Sequence, residues 1–96
     1  MSLAEAQCKY LRGLGHALRP VVLVGSTGIT DSLLDELNQT LEHHELIKVR
    51  IRAGDRNRRD ALLHQLTTRS KAELVQRIGN VALLYRRAQE PRLVLP

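Results

Sequence analysis

Aromatic side chains are nearly missing from this chain of 96 residues: Tyr10 and Tyr85 stand alone, with no Phe and no Trp. Binding modes that stack successive bases on rings, as RRM sheets and OB folds do, therefore have nothing to work with. Cysteine is reduced to Cys8, which leaves no intramolecular disulfide and no cysteine partner for a metal site. No apolar run approaches the length that crosses a bilayer, and MSLAEAQCKY has neither the basic start nor the hydrophobic stretch of a secretion signal. A cytoplasmic protein with no membrane partner is the expectation. Two phosphate-binding signatures are absent as well: there is no GxGxxG, and no Lys-Ser or Lys-Thr follows a glycine pair as a P-loop requires.

What is present is a modest apolar share, 43%, enough for the core of one domain over 1–96, with a short tail from about 88. The net charge of +5 points to a polyanionic partner, and its distribution says more than its total. Asp31, Asp35, Glu36, Glu42 and Glu45 fall between Ile29 and Leu46 with no Lys or Arg among them. The other 15 basic and 5 acidic residues then leave +10 elsewhere. One acidic face and one or more basic faces are expected. Without aromatics, a nucleic-acid partner would be held through phosphates and shape.

Residues 3–17 read as a helix, with Leu3, Gln7, Tyr10, Leu11, Leu14 and Leu18 toward one side and Lys9, Arg12, His16 and Arg19 near the other. Arg19-Pro20 marks its exit. Val21 to Val24 is a short continuous apolar strand of the kind buried on both faces. After the loop Gly25-Ser26-Thr27-Gly28, Thr30 caps a second helix striped by Leu33, Leu34, Leu37 and Leu41 and ending near His44. LIKVRIRA alternates, with Ile47, Val49 and Ile51 on one face and Lys48, Arg50 and Arg52 on the other. Asp55 caps a third helix to about Ser70, whose first turn holds Arg56, Arg58 and Arg59; the sequence does not place these arginines relative to the first helix. Two antiparallel strands follow around Gly79-Asn80, and Leu93, Val94 and Leu95 are expected to dock against a sheet edge. The order α-β-α-β-α-β-β predicts an α/β fold, a small mixed four-stranded sheet layered with helices.

The glycine loop sits where α/β proteins place ligands, at the carboxyl end of a strand. Gly25 and Gly28 would allow close backbone approach, and the loop offers free amides. On pattern alone a plain tight turn outweighs that reading. The Lys9, Arg12, His16 and Arg19 stripe, taken alone, is a solvated helix face. Arg50, Arg52, Arg86 and Arg87 either extend a basic surface or keep strands soluble. His43, His44 and Glu45 invite a metal, but neighbours on a helix point about 100° apart and do not converge. No catalytic residue, metal or cofactor is expected.

The run LRGLGHALRPVVLVGSTGIT, continued by LEHHELIKVRI and closed by IGNVALLYRR, resembles the CRM-domain family, in particular its small single-domain bacterial YhbY-like branch. That resemblance implies a non-catalytic RNA-binding protein acting on precursors of the large ribosomal subunit, with ribosomal RNA as partner and ribosomal proteins nearby. It also implies a fold similar to the C-terminal domain of a bacterial translation initiation factor. The family's GxxG contact carries onto Gly25, Ser26, Thr27 and Gly28, and its basic residues onto Lys9, Arg12, His16 and Arg19, with Arg50 and Arg86 added as strand-borne charge. Many members hold Lys or Asn inside GxxG, whereas Ser26 and Thr27 bring hydroxyls and no charge. Affinity then has to come from Arg and Lys elsewhere. A protein-interaction module that docks its acidic second helix on a basic ribosomal partner is the rival reading. A monomer is expected in either case.

Overall fold

The computed structural model describes residues 3–96. Its elements are α1 (Glu5–Gly15), β1 (Pro20–Val24), α2 (Asp31–His44), β2 (Leu46–Ile51), α3 (Arg56–Ser70), β3 (Glu73–Ile78) and β4 (Val81–Tyr85). This is the expected mixed α/β order. The sheet runs β1-β2-β4-β3, with β1 parallel to β2 and β4 antiparallel to both neighbours. Caps fall where the sequence puts them: the Thr30 hydroxyl accepts from Leu33 N–H at 3.1 Å and the Asp55 carboxylate from Arg58 N–H at 2.8 Å. The hairpin turns at Gly79, whose φ of +60° suits glycine.

Strand alternation divides the sheet into two faces. The inner face presents Val22, Val24, Ile47, Val49, Ile51 and Leu84 to Leu37 and Leu41 of α2 and to Leu62, Leu63 and Leu66 of α3. Leu37, Leu41 and Leu66 are fully buried, so truncating any of them to Ala removes about 2–5 kcal/mol. On the outer face, Leu11 of α1 packs on Leu46, Val75, Leu83 and Tyr85, and Leu3, Leu18, Leu93 and Leu95 close around this second cluster. Gly15 is what brings α1 so near: a Cβ there would lie 2.7 Å from a Leu83 methyl.

Three expectations change. The first helix is shorter than 3–17, and Tyr10 and Leu14 of its apolar side remain 42% and 38% exposed because α1 contacts the sheet through a narrow strip around Leu11 and Gly15. β1 is not buried on both faces. It is an edge strand beyond the reach of α1, so Val21 and Leu23 face outward at 55% and 48% exposure. The tail, finally, lies on the sheet's outer face and not along an edge, with Leu93 and Leu95 packed and Val94 turned away.

Candidate nucleic-acid interface

The loop after β1 is a tight turn closed by the Gly28 N–H donating to the Gly25 carbonyl at 3.1 Å. Its two glycines have different jobs. Gly28 is buried with φ +81°, and a Cβ on it would sit 3.5 Å from the Arg58 guanidinium and 3.6 Å from Leu62. Those distances are ordinary contact, so the requirement for glycine is set by the left-handed backbone of the turn and not by an outside ligand. At Gly25 a Cβ would meet nothing within 4 Å, and Ser26 and Thr27 are exposed. This side of the turn is open to approach.

Parallel pairing decides what stands beside the loop. Because β1 and β2 run the same way, the loop after β2 lands at the same end of the sheet. The ladder continues into it through the Arg52 N–H on the Val24 carbonyl at 2.8 Å. Gly25 and Ser26 therefore share a depression of about 640 Å³ with Arg52, Gly54, Arg58, Arg59 and Asn80, and no acidic side chain lines it. The Arg59 Nε is buried without a hydrogen-bond partner among the described residues. Of Arg56, Arg58 and Arg59, which the sequence alone does not place, Arg58 and Arg59 line this depression and Arg56 does not. Two consecutive parallel strands were the signal that could have placed them, since the loops following such strands share one end of the sheet.

Arg52 also begins a line of charge down the outer face of β2. One row across the sheet aligns Leu23, Arg50, Val81 and Ile78; the next aligns Pro20, Lys48, Leu83 and Gln76. His16, at the end of α1, rims a cleft of about 270 Å³ together with Lys48 and Arg50. Lys9 and Arg12 lie farther back along α1, and Arg19 precedes β1. The charge therefore forms one surface from the α3 arginines, past the loop, along β2 to His16. None of Lys9, Arg12, Arg19, Lys48, Arg50, Arg52 or Arg58 has a side-chain ion pair among the described residues.

The profile of the CRS1 / YhbY (CRM) domain matches residues 3–86, a span that includes every helix and strand. The chain belongs to the CRS1/YhbY (CRM) domain family. A Haemophilus influenzae protein named RNA-binding protein is 39% identical over 95 residues, covering 99% of this chain and 96% of its own length. A Pseudomonas aeruginosa protein named as a probable RNA-binding protein is 43% identical over 91 residues, covering 95% and 88%. The solution structure of a hypothetical Staphylococcus aureus protein, there proposed to bind RNA, superposes with a TM-score of 0.83 at 33% identity, covering 99% of this chain and 100% of that one.

Within this CRM domain, Arg86 does not join the other basic residues. β4 runs opposite to β1 and β2, so its carboxyl end lies at the other end of the sheet. There the Arg86 guanidinium donates to the Asn38 side chain at 2.8 Å, the Ser70 carbonyl at 2.9 Å and the Asn38 carbonyl at 3.0 Å. It ties the end of α3 to α2. Nearby, Glu45 ends α2 with φ +64° and is fully buried. Its carboxylate accepts from the N–H groups of Ala88 (3.1 Å), Arg92 (2.6 Å) and Leu93 (3.0 Å). Burial pushes its pKa up, but these three amides and the Arg92 charge prevail and hold it below the ordinary carboxylate value. Glu45 is thus the latch of the tail, not a ligand shared with His43 and His44. No group of three or more His, Cys, Asp or Glu side chains converges to hold a metal among the described residues.

The acidic residues lie across the molecule, on α2, which covers the inner face of the sheet. Asp31 meets Arg69 at 3.6 Å, and Glu42 accepts from Gln89 N–H at 2.6 Å. Asp35 and Glu36 are exposed. No helix among the described residues is long and apolar enough to cross a membrane.

Proposed function

We propose that this protein is a non-catalytic, monomeric RNA-binding protein of the cytoplasm that grips precursor large-subunit ribosomal RNA during ribosome assembly. The observation that carries the reading is the acid-free surface on which the open side of the Gly25 turn, Arg52, Arg58 and Arg59 converge. Arginines supply bidentate contacts to phosphates, which the uncharged turn lacks. Backbone amides and the hydroxyls of Ser26 and Thr27 meet phosphate or 2′-OH groups, and the 2′-OH separates RNA from DNA. Lys48, Arg50 and the α1 stripe of Lys9, Arg12, His16 and Arg19 continue the contact, His16 through hydrogen bonds. The ribosomal assignment is supported by the family resemblance.

Counterion release gives the test. With about four phosphates neutralised, log affinity should fall against log salt with a slope on the order of −3. A flat response in a binding titration would sink the electrostatic grip. For the ribosomal partner, sedimentation of cell extract should place the protein with immature large subunits at low salt and release it at high salt. Migration at the top of the gradient in both salts would remove that assignment.

A second reading rests on the exposed pair Asp35 and Glu36, an acidic patch fit for a basic ribosomal protein. Reversing both to Lys should abolish function under that reading, while under the RNA reading affinity is unchanged or raised.

A further inference from the structure

The outer face of the sheet is covered at one end only. α1 and the tail close over Leu46, Val75 and Tyr85, but the row nearest the glycine turn has no cover, and Leu23 and Ile78 stand 48% and 67% exposed. Between this row and His16 lies the cleft of about 270 Å³, with an apolar floor and a rim carrying Lys48, Arg50 and Gln76 and no carboxylate. Such a site suits a ligand that is flat and weakly polar on one side and anionic on the other. A nucleotide has that form. A stacked base pair does not, because its faces are hidden by its neighbours.

We propose that this cleft seats one unpaired nucleotide of the bound RNA, its base against Ile78 and Val81, its phosphate on Arg50 and Lys48, and its edge read by Gln76. The inference rests on the RNA-binding reading and adds to it the kind of RNA recognised, a helix interrupted by a bulge or loop. Two observations point to RNA and not to a protein segment. The cleft continues the basic line from Arg52 without an acidic residue, and Arg50 and Val81, one adjacent pair in the ladder, bring charge and apolar floor together. The Gln76 amide offers both a donor and an acceptor, which is what reading a base edge requires. Aliphatic side chains replace the stacking rings that the chain lacks, so the seat discriminates modestly.

Three RNAs test it by fluorescence anisotropy: a perfect duplex, the same duplex with one bulged nucleotide, and that bulge made abasic. The bulged RNA should bind about tenfold more tightly than the other two, the effect of burying one to two methylene equivalents. Ile78→Ser, at an exposed position, should erase that advantage and leave duplex affinity unchanged; Gln76→Ala should flatten the preference among the four bases in the bulge. If all three RNAs bind the wild-type protein equally and with a steep salt slope, the seat is wrong and the electrostatic reading survives. An advantage that persists in Ile78→Ser, or a base preference that persists in Gln76→Ala, would also overturn it. If none of the three binds, the RNA-binding reading fails and the seat with it.

Discussion

Arg52 and Arg86 lie at opposite ends of one sheet and are equal in charge, but they do different work. Arg86 spends its guanidinium on Asn38 and Ser70 within the molecule. Arg52 and Arg58 have no ion pair among the described residues and stand beside an open turn. The same contrast separates Gly28, required by the fold, from Gly25, where nothing inside the protein fills the space. A basic residue or a glycine becomes a binding candidate when the protein leaves its chemistry unused.

The contrast can be broken most severely at the arginines. Replacing Arg52 and Arg58 together by Ala should weaken RNA binding about 100-fold, at roughly 1.4 kcal/mol per contact, and make the salt slope shallower by about two. Thermal stability should hold. Arg86→Ala should do the reverse: unfolding in urea should come earlier by about 2 kcal/mol, as a charged donor leaves buried acceptors unpaired, while the salt slope of the folded fraction stays the same. If Arg86→Ala instead changes the slope, the two ends of the sheet are not distinct.

A smaller effect separates the glycines. Gly28→Ala forces a side chain into left-handed backbone and should cost about 1–2 kcal/mol of stability, whereas Gly25→Ala should leave the urea midpoint in place and weaken RNA binding. The smallest effect is in acid. Glu45 has a folded pKa below its ordinary value, so its contribution is complete above about pH 4.3, the unfolded value, and is lost as pH falls through the lower folded value. The protection factor of the Leu93 amide, its exchange rate relative to the intrinsic rate at the same pH, should fall in that window, and Glu45→Gln should make it low and nearly independent of pH.

The element order, the Thr30 and Asp55 caps and the alternation of β2 were legible because each depends on neighbours in the chain. Edge and centre were not. Val21 to Val24 is uniformly apolar and reads as buried, yet only strand order decides that β1 has one neighbour. Arg86 failed for a related reason: its partners Asn38 and Ser70 are 48 and 16 residues away. The candidate site was half legible. The glycine turn announces itself, but Arg58 and Arg59 reach it only because β1 and β2 run in parallel, and pairing is a property of the whole sheet.

The latch at Glu45 also separates two kinds of boundary. The family match stops at residue 86, but the amides that surround this carboxylate come from Ala88, Arg92 and Leu93. In effect the tail is the solvent of a single ion. A chimera spliced at the end of the recognisable domain would lose the three amides that hold this carboxylate and the Leu93 and Leu95 side chains that cover the outer cluster, and would need the last ten residues to stand alone.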